Sequence, residues 1–167
     1  ELAVLASAGL PRADVRAEPR ILVIATGDEL VEPGEPIESW QVRRSNSTAL
    51  RGALTLRGCR QVAEDHLPDD PAVLRERLAV HLATHDVLVL SGGVSMGRFD
   101  HVPQALRDLG VTEVLHRVAQ RPGKPLWFGV GPAGQAVFGL PGNPVSSLVC
   151  LVRYVVPGLQ ALAGLAP

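Results

Sequence analysis

The chain has 167 residues, 46% of them hydrophobic and 20% charged, and a formal net charge of -1. That length suits one domain with a sizeable core that needs no metal or disulfide staple. The near-neutral charge gives no electrostatic case for a nucleic-acid or other polyanion partner, and Cys59 and Cys150, far apart in apolar stretches, read as buried free thiols.

Glu1 opens the chain without the cationic region of a signal peptide, and so abruptly that a fragment of a longer protein is expected. Leu2 to Ala8 reads as the end of a helix closed by Gly9. Pro11 to Arg20 is polar and proline-bearing, so residues 1–20 divide off as an opening helix and linker from an α/β domain over 21–167. Ile21 to Ala25 is apolar throughout, as a buried strand requires. Pro33, Gly34 and Pro36 mark Thr26 to Trp40 as a loop. Ser45 or Asn46 can cap a helix that runs to about Arg57 and closes at Gly58. A second strand is expected over Arg60 to Glu64. Asp70 before Pro71 marks a helix start, with the helix continuing to about Ala83. Asp86 to Leu90 is another buried strand, and Val102 to Leu109 a helix stopped by Gly110. Val111 to Ala119 is strand-like, and Leu126 to Val130 with Gln135 to Leu140 predict a hairpin around Gly131 to Gly134. A last helix starts near Pro144. The longest apolar stretch, Val145 to Ala163, is interrupted by Arg153 and Pro157, which argues against a membrane span; the cytoplasm is the default location. Strand–helix alternation followed by a hairpin predicts an α/β three-layer sandwich, mainly parallel with an antiparallel edge.

Three glycine-rich loops carry the functional signal: Ser91-Gly92-Gly93-Val94-Ser95, Arg121-Pro122-Gly123-Lys124-Pro125 and Leu140-Pro141-Gly142-Asn143-Pro144. Loops at the carboxyl ends of strands in an open α/β sheet form the usual ligand crevice, and helix starts favour an anion. A phosphate-bearing small molecule is the first ligand to consider, although a tight turn would need the same glycines. Neither a P-loop nor a Rossmann fingerprint is present. Asp69, Asp70 and Asp100 fall at the same predicted edge, where one or two carboxylates beside a phosphate suit Mg²⁺. Helix capping accounts for Asp70 and is an alternative for Asp100, which leaves Asp69 as the better ligand candidate and Asp100 beside it. Thr26, Gly27, Asp28 and Glu29 follow the first strand and add carboxylates there, or simply a solvated acidic loop. Arg117, Arg121 and Lys124, stiffened by Pro122 and Pro125, form a cationic loop suited to an oxyanion. His81 and His85 share a helix face but have no third metal ligand, and no nucleophile–base pair is evident.

The motifs Thr26-Gly27-Asp28-Glu29-Leu30, Ser45-Asn46, Asp69-Asp70-Pro71, Ser91 to Gly97 with Asp100, Arg121 to Pro125 and Gly139 to Ser146 occur in order. Together they resemble the molybdopterin-binding domain of the molybdopterin molybdenumtransferases, the MoeA and gephyrin E-domain type, with a MogA/MoaB-like fold. The resemblance implies a role in molybdenum cofactor biosynthesis: insertion of molybdate into adenylylated molybdopterin with Mg²⁺. It implies that Ser91, Gly92, Gly93, Val94 and Ser95 hold the phosphate side of the pterin. Glu29, Asp69 and Asp100 become the catalytic carboxylates, with Asp69 and Asp100 at Mg²⁺, and Arg121, Lys124 and Ser146 face the oxyanion. Thr26, Gly27, Asp28, Ser45, Asn46, Pro122, Gly123, Pro141, Gly142 and Asn143 complete the ligand-binding set.

The chain departs from that family at Arg44, where Asp or Asn is usual before the Ser-Asn pair, and at Arg117 and Arg121, where lysine is frequent. Family members normally carry further domains, and these motifs match only one of them, as expected of a fragment. The resemblance implies a homo-oligomer, a dimer or a trimer, that works with other molybdenum cofactor enzymes and with neither nucleic acid nor membrane. Two alternatives stand beside it: a non-catalytic pterin or nucleotide-binding module, and a single-domain molybdopterin adenylyltransferase.

Overall fold

In the computed structural model, which describes residues 2–94 and 101–165, the chain runs α1 (Leu2–Ser7), β1 (Ile21–Thr26), β2 (Leu30–Val31), β3 (Val42–Arg43), α2 (Ser45–Thr55) and β4 (Val62–Leu67). It continues through α3 (Pro71–Thr84), β5 (Val87–Ser91), α4 (Val102–Asp108), β6 (Thr112–His116), β7 (Trp127–Val130) and β8 (Ala136–Leu140). It ends with α5 (Pro144–Cys150), a π-helical turn (Leu151–Val155) and α6 (Val156–Leu162).

Six strands form one sheet in the order β4-β1-β5-β8-β7-β6, parallel from β4 to β8 and antiparallel across β7 and its two neighbours. Successive side chains on a strand face opposite sides, and β1 and β5 are apolar on both. Leu22, Ile24, Leu88 and Leu90 pack with Leu74 and Leu78 of α3 and Leu106 of α4. Ile21, Val23, Val87 and Val89 pack on the other side with Leu50 and Leu54 of α2 and with Cys150, Leu151, Val155 and Leu159 of the last helices. The result is the three-layer α/β sandwich that the alternation predicts. Asp70 caps α3 as expected, its Oδ1 accepting from the N–H groups of Ala72 at 2.8 Å and Val73 at 3.0 Å, with Pro71 at the first position.

Several local expectations are corrected. The second strand is Val62–Leu67 rather than Arg60 to Glu64. Its polar residues hid it, and tertiary partners explain them: Arg51 pairs with Glu64 at 3.1 Å, and Asp65 accepts from Arg77 Nη2 and His81 Nε2, each at 2.6 Å. The strand after α4 stops at His116 rather than Ala119, because Arg117 turns the chain at φ 71. The loop after β1 contains a two-residue parallel ladder, Leu30 with Val42 and Val31 with Arg43. Neither Ser45 nor Asn46 caps α2; Arg44 holds that position and makes no side-chain cap bond. Cys150 is buried as expected, whereas Cys59 is only half-buried.

Pro144–Leu162 is 19 residues long with mean hydropathy 1.5, long and apolar enough by length and composition to cross a membrane. Here it lies against the sheet, with Cys150, Leu151, Val155 and Leu159 in the core. Pro157 has no N–H and would clash with the carbonyl of Arg153 in a regular α-helix; the π turn over Leu151–Val155 meets it.

The start of β1 is tied to that of β5 by Arg20, which donates to Asp86 from its backbone N–H (2.8 Å), Nε (3.1 Å) and Nη2 (2.9 Å). These bonds lower the Asp86 carboxyl from 3.8 to about 2. A depressed carboxyl contributes stability that is full above its unfolded value and lost as pH falls through its folded value. The loss therefore falls between about pH 4 and pH 2, and it is small because both side chains are about half exposed. Asp86→Asn is expected to flatten that part of an acid-unfolding curve followed by circular dichroism. Superimposable curves for the two proteins over this range would refute the assignment.

Candidate functional site

Parallel register brings Ala25 beside Ser91 and Ser91 beside Leu140, so β1, β5 and β8 end at one edge of the sheet. From β1 the chain passes to α2 on one face and then to β4. From β5 it passes to α4 on the opposite face and on to the other half of the sheet. Connections that diverge in this way leave a crevice at the switch point. A cavity of about 280 Å³ occupies it, walled by Thr26 and Glu29, by Arg43 to Asn46, by Ser91 and Gly92, and by Gly142.

Asn46 joins the walls. Its Nδ2 donates to Ser91 Oγ at 2.9 Å and to the Gly142 carbonyl at 2.7 Å, linking the first turn of α2 to two of the glycine-rich loops. Gly92 and Gly93 have φ of +97° and +66°, and a Cβ at either would stand within about 3 Å of Thr26, so the loop can hug β1 only as glycine. Among the described residues, Thr26 Oγ1, Arg44 Nε, Asn46 Oδ1 and Ser47 Oγ are buried without a hydrogen-bond partner. The first three belong to residues that line the cavity. Buried polar atoms are ordinarily paired, so this concentration makes the cavity wall the candidate ligand site.

Most of the other predicted residues that the structure describes are not in the cavity wall. The Asp69 N–H donates to Asp28 Oδ1 at 3.1 Å, and His66 Nε2 lies 2.8 Å from the Gly27 carbonyl, so the turn after β1 is braced against the end of β4. Neither the Glu29 nor the Asp69 carboxylate bonds to a described residue. The 117–126 loop reaches the same edge because β6 runs parallel to β8. Arg121 and Lys124 are exposed there, and Gly123, at φ +111°, packs so closely that a Cβ would lie 2.7 Å from Cys150 Sγ. Burial pushes the Cys150 thiol up, which keeps it neutral beside the Gly123 carbonyl at 3.7 Å. Asn143 caps α5, its Oδ1 accepting from Ser146 N at 3.1 Å and lying 3.2 Å from Ser146 Oγ. Pro141 is buried behind Gly142, and Val94 belongs to the core. Pro122 is exposed. Ser95 and Asp100 lie outside the described residues.

Two wall positions had no sequence signal. Val42 and Arg43 reach the cavity through a ladder of only two residues, too short for any periodicity to report. Arg44 puts a positive charge where the family that the sequence resembles usually has Asp or Asn, but Glu32 accepts from its Nη2 and offsets that charge.

A family model described as a probable molybdopterin binding domain matches residues 22–161. This chain belongs to the molybdopterin-binding domain family. A molybdopterin molybdenumtransferase of Synechocystis is 43% identical over 163 residues, 97% of this domain and 42% of that protein. One from Nostoc is 38% identical over 99% of the domain and 38% of its own length. The domain thus spans about two fifths of the curated relatives it matches. A molybdopterin biosynthesis MoeA protein from Pyrococcus horikoshii superposes with a TM-score of 0.79 at 32% identity, over 97% of this domain and 40% of that chain. The MoaB protein of Thermus thermophilus, at 19% identity, shares the fold with a TM-score of 0.61 over 86% of the domain and 96% of its own chain.

Proposed function

We propose that this molybdopterin-binding domain takes part in molybdenum cofactor assembly as the pterin-holding domain of a molybdenumtransferase, receiving adenylylated molybdopterin and molybdate as substrates. The observation that carries the reading is the cavity at the switch point, where Thr26, Arg44 and Asn46 hold unpaired buried polar atoms. A heterocycle edged with alternating donors and acceptors is the kind of ligand that such a wall pairs. Ser91, Gly92 and Gly93 offer backbone and hydroxyl donors to its phosphate side. Arg121 and Lys124, exposed at the same edge, supply positive charge where an oxyanion departs.

The donors suit Mg²⁺ in its sparing mode, with one or two carboxylates completed by substrate phosphate and water. The Asp69 carboxylate makes no bond to a described residue and so is open to such a role. No group of three or more His, Cys, Asp or Glu that could hold a metal occurs among the described residues. Asp69 and Asp100 would hold the ion, which when bound would neutralise phosphate charge. Glu29, in the cavity wall, would accept a hydrogen bond from the ligand. Self-association belongs to the same reading, and Val145, Leu148 and Val152 give it an exposed apolar stripe.

Calorimetric titration of the 167-residue chain with adenylylated molybdopterin tests the proposal. Binding is expected to tighten with Mg²⁺, and Asp69→Asn or Asp100→Asn to remove that gain. Absence of heat both with and without Mg²⁺ would sink the reading for this domain.

A further inference from the structure

Helix α2 begins without a side-chain cap. Arg44 occupies the cap position and its side chain makes no bond to the first turn, whereas Asp70 and Asn143 cap α3 and α5. A helix start leaves N–H groups unpaired and carries the positive end of the dipole. Asn, Asp, Ser or Thr is usual there. Arginine instead adds a full positive charge to an end that is already positive, an arrangement that is favourable only when something negative sits between them.

The start of α2 opens on the cavity, and independent features converge on it. The Arg44 side chain is 14% exposed, and its Nε is buried without a partner. Thr26 is 4% exposed, lines the same cavity and has an unpartnered Oγ1. The other end of the Arg44 guanidinium is held by Glu32, a carboxylate on the exposed loop between β2 and β3. Arg43 donates to the carbonyls of Glu32 and Glu35, and so secures that loop. Among the described lining residues the only carboxylate is that of Glu29, which is folded back over Gly27.

We propose that the start of α2, together with Arg44 and Thr26, is a subsite for a tetrahedral oxyanion, and that Glu32 is an internal stand-in which the anion displaces from Arg44. The subsite deepens the functional reading above. It rests on that reading for the identity of the molecule that carries the group, but not for binding of the group itself. The anion is either free or a phosphate ester on a larger ligand.

The test is a titration of the ¹⁵N-labelled 167-residue chain followed through its amide resonances, with inorganic phosphate in one arm and AMP in the other. The Ser45, Asn46 and Ser47 amides are expected to shift with at least one probe, and the tighter probe identifies the source of the anion. Arg44→Asn restores an ordinary cap, so it is not expected to impair folding. It should nevertheless weaken binding by about tenfold or more, since a charge-assisted bond is lost. Arg44→Lys should recover part of that loss, and Glu32→Gln should tighten binding by about threefold, by removing the competitor. Unchanged affinity in Arg44→Asn, or shifts confined to Gly92–Val94 and 121–124, would overturn the subsite. Phosphate shifts at 45–47 without binding of adenylylated molybdopterin would uphold the subsite and sink the functional reading. Pterin binding without those shifts would do the reverse.

Discussion

Asn46→Ala is expected to weaken binding of adenylylated molybdopterin by about five- to 150-fold, equivalent to about 1–3 kcal/mol for groups left unpaired in a closed site. Asn46 is the bridge between walls: its amide donates to Ser91 Oγ and to the Gly142 carbonyl, while its Oδ1 is buried without a partner. Truncation would remove the proposed ligand contact and release two loops from their shared anchor, so the loss in affinity should exceed the loss in stability. Titration calorimetry beside a urea unfolding curve separates the two. Equal affinity in mutant and parent would show that the ligand does not use this wall.

Trp127→Ala is expected to cost about 3–5 kcal/mol of stability, the range for deleting a large core aromatic, against a total of about 5–15 kcal/mol for a domain. Trp127 is 0% exposed and packs in the core with Val94, Leu106 and Val137. Its Nε1 donates to Glu113 at 2.9 Å, which ties β7 to β6. The fit is close on both sides, since a Cβ at Gly129 would stand 2.5 Å from the Trp127 ring and one at Gly139 3.1 Å from its Cβ. The midpoint of urea unfolding should fall steeply with an unchanged slope. A milder loss in Trp127→Phe would assign the difference to the Glu113 bond and the smaller ring. A midpoint shift in Trp127→Ala below that expected for about 1 kcal/mol would mean that the site collapses around the gap.

Trp127 also bears on function, because Val94, which follows Gly92 and Gly93, is buried in the same cluster. A Cβ at Gly139 would stand 2.6 Å from Val94 Cγ1. The glycine loop is thus held from below by the core and from the side by Asn46.

Much of this was legible in the order of residues. The apolar runs at Ile21 and Val87 suited buried strands, and both proved to be interior strands of the sheet. Asp70 with Pro71 announced a helix start through local chemistry alone, and the cap bonds formed as that chemistry requires. The hairpin closing on Gly131–Gly134 followed from two apolar runs and a turn sequence. In each case the deciding interaction lies within a few residues or depends only on apolar content.

Where partners are distant, the sequence was silent. The polar run Glu64-Asp65-His66 does not read as a strand, because what makes it one is pairing with β1, ion pairs from Arg51 and Arg77, and a hydrogen bond from His81 to Asp65. Arg44 reads as a disturbing charge until Glu32, twelve residues away, is seen to accept from it. Asn46 reads as a local cap, yet its bonds run 45 and 96 residues along the chain. The sequence by itself determined the α/β class, the buried strands β1 and β5, the cap of α3 and the loops that carry polar groups, since apolar content and the Asp-Pro cap are local. Only the tertiary structure decided which of those loops wall the cavity and which side chains remain unpaired there, because parallel register and long-range hydrogen bonds join segments whose separation no local pattern records.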